Sequence, residues 1–355
     1  MDRSVTIKQI ARECGVSIAT VSRVMNGTAP VAEATREKVR EAIARHRYTP
    51  NAFARSLSNR RSMTIGILIP DIANPYFSAM FTEFERAAHE ANYSVLLCNT
   101  SFSSSETRAK TLREIDYFRM MLDKNVDGVV VAGGQADLME VREEYREALR
   151  QLAASVPVVV LGSPIEGVDC QFIQRERGQG VFSAVNYLSS LGHRRIAFLG
   201  GEDGVGITSA RLRAYRDALI TLRLDNDPNL VRLSDYYTPD GYQAAKELID
   251  SGTPFTAILA MNDNVAIRAY RALADAGLRI PEDVSIISCD QFYTADYLVP
   301  RLTSVDQHNE LFGRFIINAL LGAIQGVKED VILTYRPELV LRESCGSPAP
   351  HINKE

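Results

Sequence analysis

The sequence reads Ser17-Ile18-Ala19-Thr20-Val21-Ser22-Arg23-Val24-Met25-Asn26 close to its N-terminus, and this stretch predicts a short amphipathic helix. At a period of 3.6 residues, Val21, Val24 and Met25 share one apolar side, whereas the other side is small and polar and carries Arg23. Small side chains let a helix enter the major groove of DNA, and an arginine can donate two hydrogen bonds to the edge of a guanine. The stretch therefore predicts a DNA-reading helix, with an ordinary amphipathic surface helix as the alternative.

The flanking residues predict two further helices. Residues 6–13 carry apolar side chains at helical spacing behind Thr6, which can serve as an N-cap. Gly15 supplies the permissive turn residue, and Ser17 caps the second helix. A third helix is predicted over residues 32–46, so the pattern is that of a three-helix domain with a helix-turn-helix.

The residues after this head predict a hinge. Pro50 ends the head, because the residue before a proline is pushed away from helical angles. Residues 51–58 are compatible with a helix capped by Asn51, but they are too few for a stable isolated helix. We expect them to fold only when a DNA groove and a second copy of the chain hold them. Leu57 would then enter the minor groove as a wedge between base steps, and the alternative is a plain linker with Leu57 packed on the body.

Charge is divided unevenly along the chain. Residues 1–62 hold twelve lysines and arginines against five acidic residues, so this part carries +7 and the rest carries −11 of a formal net charge of −4. A basic head suits contact with phosphate groups. The acidic body is not expected to bind nucleic acid itself.

From residue 63 onward the pattern alternates between apolar strands and helices. The predicted strands lie at residues 64–69, 94–98, 126–132, 156–161, 195–199, 256–260 and 284–288. Strand and helix repeats of this length predict parallel doubly wound sheets, and two such series predict two lobes. The expected fold is therefore α/β, with a helix-turn-helix head and a short hinge helix joined to a two-lobed core.

Cysteine and histidine placement argues against several kinds of site. The five cysteines are far apart and never form a C-x-x-C pair, so we expect reduced thiols. The five histidines are scattered, and neither a metal site nor a cofactor is expected. The sequence shows neither a secretion signal nor an apolar run of membrane-spanning length, so we expect a cytoplasmic, nucleoid-associated protein without a membrane partner.

Catalytic motifs are also missing from the sequence. It contains neither a G-x-S-x-G motif nor a cysteine and histidine pairing that suggests a nucleophile. The glycine-rich run at residues 200–206 lacks the G-K-[ST] ending of a phosphate loop, and its two acidic residues would repel phosphate. We interpret it as a cleft loop and do not expect an enzyme.

Motifs along nearly the whole chain carry a family resemblance. In the head and hinge they are Thr6-Ile7-Lys8-Gln9-Ile10-Ala11, Gly15-Val16-Ser17, residues 19–27, Thr35-Arg36, Tyr48-Thr49-Pro50-Asn51 and Ala54-Arg55-Ser56-Leu57. In the body they are residues 69–77, residues 191–197, Arg211-Leu212-Arg213-Ala214-Tyr215, Asn262-Asp263 and Leu302-Thr303-Ser304-Val305. These motifs resemble those of the lactose/galactose repressor (LacI/GalR) family of bacterial transcription factors. The resemblance implies a homodimer that binds a pseudo-palindromic operator through its heads and senses a small molecule, often a sugar, in a periplasmic-binding-protein-like core.

The resemblance also implies domain boundaries. The head would occupy residues 1–48, the hinge residues 49–62 and the core residues 63–345, followed by a flexible tail at residues 346–355. Within the core, the first lobe is expected at about 63–162 and 294–325, and the second at about 163–291 and 326–345. The lobes would be joined by three crossings, with the chain returning to the first lobe near residues 290–303.

The resemblance assigns roles in DNA binding. Ile18, Ala19 and Arg23 would read bases, although the spacing of Ile18 to Val21 and Met25 would instead place it in the core. Leu57 would intercalate at a central base step. The full expected set is Thr6, Ser17, Ile18, Ala19, Thr20, Ser22, Arg23, Asn26, Asn51, Phe53, Ala54, Ser56 and Leu57.

Polar and aromatic residues after the strands are candidates for effector binding, because ligands of open α/β sheets lie at the carboxyl ends of the strands. A loop cap or an ion pair is the alternative role for each of them. Gly162 stands where many family members have an acidic residue, so this sequence lacks one usual sugar contact. The candidates are Asn74, Tyr76, Phe77, Arg213, Tyr236, Asn262, Asp263 and Asp290.

The sequence thus predicts a dimeric, ligand-responsive repressor of carbohydrate-utilisation genes. Two alternatives are a cytoplasmic small-molecule-binding protein without a regulatory role and a regulator that senses a non-sugar metabolite such as a purine. The basic head favours the regulator over the plain binding protein.

Overall fold

The structure is a computed structural model that describes residues 5–26, 29–46, 48, 61–100, 107–176, 178–234, 236, 240–327 and 335–348. The chain forms two compact units, Met1–Ser62 and Met63–Glu355, each of which is treated by itself below. The hinge predictions for Asn51, Phe53, Ala54, Ser56 and Leu57 lie outside the described residues, as does the side chain of Asn26.

The head contains the three expected helices, α1 (Ile7–Cys14), α2 (Ile18–Asn26) and α3 (Glu33–Arg45). Gly15 ends α1 with a φ of +69°, a left-handed conformation that a glycine adopts without steric cost. Ile10, Val21 and Val39 are fully buried and hold the three helices around one small core. The helix-turn-helix therefore has its own apolar interior.

The first lobe of the core contains a five-stranded parallel sheet. Its strands are β1 (Thr64–Ile69), β2 (Ser94–Asn99), β3 (Gly128–Ala132), β4 (Val158–Leu161) and β5 (Gln171–Ile173), in the order β2-β1-β3-β4-β5. Its helices are α4 (Pro75–Glu90), α5 (Thr107–Asp123) and α6 (Glu143–Ser155). Strands β3 and β4 are buried along their whole length, as expected for a sheet covered on both faces.

The second lobe contains a six-stranded sheet. Its strands are β6 (Ile196–Leu199), β7 (Val231–Arg232), β8 (Ala257–Ala260), β9 (Ser285–Ser288), β10 (Thr303–Asp306) and β11 (Glu338–Val340), in the order β11-β10-β9-β8-β6-β7. Its helices are α7 (Gln179–Ser190), α8 (Gly206–Thr221), α9 (Asp240–Asp250) and α10 (Asp263–Asp275). All described pairings in this sheet are parallel except that of β10 with β11.

Strand pairing places the lobe boundaries at other residues than those expected. Strand β5 pairs with β4, so the first lobe extends beyond residue 162 to residue 173. Strand β10 pairs with β9, so the chain is still in the second lobe at residues 294–306. It returns to the first lobe with α11 (Asn309–Ile324), whose residues share an apolar core with α4. These pairings differ from the lobe boundaries that the resemblance implies, because pairing partners distant in sequence decide which sheet a short strand joins.

The predicted flexible tail begins too early at residue 346. The imidazole of His193 is 1% exposed, and its Nε2 donates to the Gly346 carbonyl oxygen over 2.8 Å. Because a carbonyl only accepts, Nδ1 must be the acceptor for the Thr256 hydroxyl at 2.9 Å. Gly346 is therefore fixed to the second lobe, and residues 349–355 lie outside the described residues.

None of the described helices combines the length and apolar character that a bilayer crossing needs.

His193 predicts a pH dependence of stability. Burial lowers the pKa of this imidazole below its ordinary value of 6.5, although the Gly346 carbonyl raises it in part. The folded state thus binds fewer protons than the unfolded state. The contribution of His193 to the free energy of unfolding is therefore complete above pH 6.5 and is lost as the pH falls toward the lowered pKa of the folded state. We expect the melting temperature of the His193→Gln variant to fall less than that of the unchanged protein between about pH 7.5 and about pH 5.5. His89→Gln, at an exposed position, is the matched control; identical profiles for both variants would contradict the role of His193.

Candidate DNA interface and candidate ligand cleft

The N-terminus of α2 is built by local hydrogen bonds. The Ser17 hydroxyl accepts from the Thr20 backbone N–H at 3.0 Å and is 2.9 Å from the Thr20 hydroxyl. This is the N-cap that the sequence predicts, and it satisfies one of the free N–H groups at the start of the helix. Both hydroxyls therefore lie at the end of the helix that would approach a DNA backbone.

The two sides of α2 separate as the periodicity requires. Val21 is fully buried, and Val24 and Met25 are half-buried against the head core. Ala19 and Arg23 are exposed, and Thr20 and Ser22 are half-buried. An apolar inner side and a small, polar outer side give α2 a surface suited to a major groove.

Ile18 lies on the exposed side of α2, with 43% of its surface accessible. The simple spacing to Val21 and Met25 would have placed it in the core. Ile18 is exposed because it is the first residue of the helix, where there is no preceding helical turn. An exposed isoleucine beside Arg23 offers a methyl-bearing surface, which suits contact with a thymine methyl group.

Thr6 has a structural role at the start of α1. Its backbone N–H donates to the Gln9 side-chain oxygen at 2.7 Å, and its hydroxyl donates to the same oxygen at 3.1 Å. Thr6 is also exposed, so this contact leaves it on the surface of the head.

The core offers a cleft where its lobes meet. The loop after β3 in the first lobe contacts the loop after β6 in the second, because the Met139 N–H donates to the Gly204 carbonyl oxygen at 2.8 Å. Both loops follow the carboxyl ends of parallel strands, so the two sheets turn these ends toward one another. The candidate effector residues follow the same strand ends.

A buried ion pair occupies the second-lobe side of this cleft. The Arg211 guanidinium on α8 donates to both carboxylate oxygens of Asp290, at 2.6 and 2.9 Å, and to the Met261 carbonyl oxygen at 2.6 Å. Arg211 and Asp290 are 3% and 5% exposed. Burial by itself lowers the pKa of the guanidinium, but the Asp290 carboxylate outweighs that effect and keeps the pKa above its ordinary value. Arg211 is therefore charged at every physiological pH.

The sequence singled out Arg213, but the arginine that meets Asp290 is Arg211. Arg213 is exposed, because two residues along a helix turn a side chain by about 200°. The sequence held a signal for Arg211, since it shares helical spacing with the buried residues Thr208, Tyr215 and Ala218.

Asn262 and Asp263 follow β8 and begin α10. The Asn262 side-chain oxygen caps this helix by accepting from the Val265 N–H at 3.0 Å. Asp263 is fully buried and accepts from the Phe292 N–H at 2.8 Å. Burial raises the pKa of the Asp263 carboxyl to about 7, and the nearby Asp290 carboxylate adds to the rise. Both side chains thus bind backbone groups of the second lobe.

The first-lobe candidates divide between the cleft and the core. Asn74 is 5% exposed and caps α4 by accepting from the Tyr76 N–H at 3.0 Å. Phe77 belongs to the first-lobe core, and its ring meets that of Tyr76 edge-on, with centroids 4.9 Å apart. Tyr76 is half-buried, so Tyr76 rather than Phe77 keeps an accessible ring.

Tyr236 lies in the second lobe, where its hydroxyl forms a hydrogen bond with the Thr208 hydroxyl. Burial raises the pKa of this phenol, and Asp137 of the first lobe raises it further while Arg211 lowers it. Tyr236 is thus close to charged groups from both lobes.

No cluster of three or more potential metal ligands occurs among the side chains that the structure describes.

Comparisons with known proteins agree with both units. A family model described as bacterial regulatory proteins, lacI family, matches residues 6–51, and one described as a periplasmic binding protein-like domain matches residues 185–345. The chain is 33% identical over 340 residues to the HTH-type transcriptional repressor PurR of Vibrio atlanticus (strain LGP32), covering 96% of this chain and 98% of that protein.

Two solved structures extend the likeness to three dimensions. The lac repressor dimer bound to operator and the anti-inducer ONPF matches with a TM-score of 0.83 and 26% identity, over 97% of this chain and 100% of that chain. The complex of the transcriptional regulator CelR with cellobiose matches with a TM-score of 0.68 and 30% identity, over 96% and 99% of the two chains.

The buried ion pair predicts a difference between two neighbouring arginines. Arg211→Met should destabilise the core by about 3 to 5 kcal/mol, because it leaves the buried Asp290 charge without its partner. Arg213→Met, on the exposed side of the same helix, should change stability by less than about 0.5 kcal/mol. Urea unfolding of both variants measures the two losses, and equal losses would refute the assignment of Arg211 to the pair.

Proposed function

Because the chain belongs to the lacI family of bacterial regulatory proteins, we propose that it represses transcription as a homodimer on a pseudo-palindromic operator, under the control of a small molecule bound between its lobes. The chain is a DNA-binding repressor with an effector-binding domain, and its homologues are transcriptional repressors rather than enzymes. The observation that carries the proposal is the outer side of α2, where Arg23 and Ile18 are exposed on a basic head.

The head reads the operator through α2. Ile18, Ala19 and Arg23 contact base edges in the major groove, because they occupy the exposed side of the helix. Ser17, Thr20, Ser22 and Asn26 hold the sugar-phosphate backbone, with Thr6 at the neighbouring helix end. The hinge adds minor-groove contacts through Asn51, Phe53, Ala54, Ser56 and the Leu57 wedge.

The effector is a sugar held against Arg211, Asp290 and Tyr236. This set combines charged hydrogen-bonding groups with an aromatic ring, which suits a polyol. The likeness to a regulator solved with cellobiose supports the same class of ligand. Tyr76 provides an apolar surface from the first lobe, and Arg213, exposed on α8, adds a further cation. Asn74, Asn262 and Asp263 shape the site from beneath, and Phe77 packs behind it.

An exposed apolar patch on the second lobe supports dimerisation of the chain. Tyr293, Tyr297 and Val299 are 74%, 80% and 92% exposed within seven consecutive residues. A second copy of the chain would cover these apolar side chains. The likeness to a lac repressor dimer on its operator supports the same arrangement.

Effector binding changes operator affinity through the relative position of the two lobes. A small molecule that prefers one arrangement shifts the equilibrium by its difference in affinity for the two. The coupling expected for such a device is roughly 1 to 3 kcal/mol, or about 5-fold to 150-fold in operator affinity. The repressor acts on chromosomal DNA in the cytoplasm.

A gel-shift experiment tests this function. The full chain is incubated with DNA that flanks its own gene, alone and with a panel of sugars and purine bases. We expect a sequence-specific complex whose affinity changes with one sugar, and the direction of the change identifies that sugar as inducer or corepressor. A response to a purine alone would overturn the sugar assignment, and failure to bind any of this DNA specifically would contradict the presence of an operator in it.

Arg23 predicts a change in sequence preference. Arg23→Ala should reduce discrimination at one base pair in each half-site by roughly 1 to 3 kcal/mol, because it removes a bidentate contact to a base edge. A binding selection with randomised DNA measures this preference for the variant. Arg45→Ala is the control, since Arg45 lies on α3 and pairs with Glu13 at 2.8 Å. An unaltered preference in the Arg23 variant would show that another residue reads that base pair.

A further inference from the structure

Two segments far apart in sequence join the lobes by backbone contacts. Residues 133–139, which follow β3, form what we call the strap. At its end, Leu138 and Val205 face each other as an antiparallel β-bridge, and the Met139 N–H donates to the Gly204 carbonyl oxygen at 2.8 Å. The strap lies outside the segments through which the chain passes from one lobe to the other. It therefore adds a separate connection between them.

Two glycines let the strap approach the first-lobe interior. Gly133 and Gly134 have φ values of +81° and +71°, which a residue with a side chain rarely adopts. A Cβ atom at Gly134 would lie 2.5 Å from Oε1 of Glu114, too close for any side chain. The strap thus leaves β3 directly over the Glu114 carboxyl group.

Glu114, on α5, binds the strap backbone from below. Its Oε1 accepts from the Gln135 N–H at 3.2 Å, and the Thr111 hydroxyl of the same helix donates to the Gln135 side-chain oxygen at 2.6 Å. Glu114 and Gln135 are 3% and 4% exposed. Burial raises the pKa of the Glu114 carboxyl to about 7, against hydrogen bonds that lower it, the first of them from Gln135. A carboxyl group is costly to bury, so its position here calls for specific partners, and the Gln135 N–H of the strap is one of them, together with the Tyr145 and Thr100 hydroxyls.

The strap also carries a charge that acts on the other lobe. Asp137 lies in the strap, and its carboxylate raises the pKa of the Tyr236 phenol in the second lobe.

We propose that the strap is a latch that holds the lobes together, and that Glu114 is the residue that positions it. The latch sets how far the lobes must move when the effector enters, so its part in regulation rests on the proposed function. The contact between the lobes does not depend on the proposed function.

A designed disulfide tests the latch in the full chain. Leu138 and Val205 face each other across an antiparallel bridge, where Cβ atoms are about 4.5 to 5.5 Å apart, close to the spacing that a disulfide needs. The double variant Leu138→Cys/Val205→Cys is equilibrated with reduced and oxidised glutathione. Intact mass after alkylation then gives the effective concentration of one new thiol at the other. Each single variant serves as a control for reactions of the native cysteines.

We expect an effective concentration in the millimolar range or above without DNA or effector, because the two residues already face each other. Adding Glu114→Ala should lower it about tenfold, since one buried hydrogen bond to the strap is lost. Glu114→Gln keeps an acceptor oxygen and should restore it. Asp116→Asn, at an exposed position of the same helix, should leave it unaltered.

Two results would overturn the proposal. One is a double variant that forms no disulfide, which means that the lobes are apart in solution. The other is the same effective concentration with Glu114→Ala as without it. If Glu114→Ala prevents folding, as judged by circular dichroism, Thr111→Val replaces it and should lower the effective concentration several-fold, because it removes the donor to Gln135. These measurements use neither operator nor effector, so a failed gel shift leaves them intact, and a failed latch leaves the operator result intact.

Discussion

The bidentate pair between Arg211 and Asp290 holds together the second-lobe side of the cleft. Its guanidinium belongs to α8, its carboxylate follows β9, and the Met261 carbonyl oxygen that shares it follows β8. A charge this deep is tolerated because several oxygens accept its hydrogens and an opposite charge lies beside it. The pair therefore fixes the spacing of three elements of the second lobe.

Much of this architecture follows from local pattern, and the rest depends on distant partners. The runs at β1, β3 and β8 predict strands because they are continuously apolar and are buried in the sheets. Strands β7 and β11 lie at sheet edges and have only two and three residues. Their hydrophobic pattern is too short to predict a strand. The lobe boundaries depend on the pairing of β5 and β10, which local composition does not encode. In the site, a difference of two positions on α8 separates the exposed Arg213 from the buried Arg211.

The same polar residues fit two roles, helix capping and ligand binding. Asn74 and Asn262 follow strands at the cleft edge, as ligand-binding residues do, but their side-chain oxygens cap α4 and α10. Both roles favour a short polar side chain at the start of a helix, so sequence alone does not separate them. Ile18 shows the reverse case, in which an apolar residue is exposed where a helix begins. Such a residue at an exposed helix end is a stronger sign of function than a capping asparagine.

The second lobe is built from segments that are far apart in the chain, and this affects the order in which the protein can fold. Its sheet includes β11 at Glu338–Val340, and the imidazole of His193 forms a hydrogen bond with the Gly346 carbonyl oxygen. Domains synthesised on the ribosome tend to fold from the N-terminus onward. Here the head can fold as soon as its helices emerge, whereas the second lobe lacks an edge strand until residues 338–340 have been synthesised. A chain released before that point would therefore carry a folded head on an incomplete second lobe.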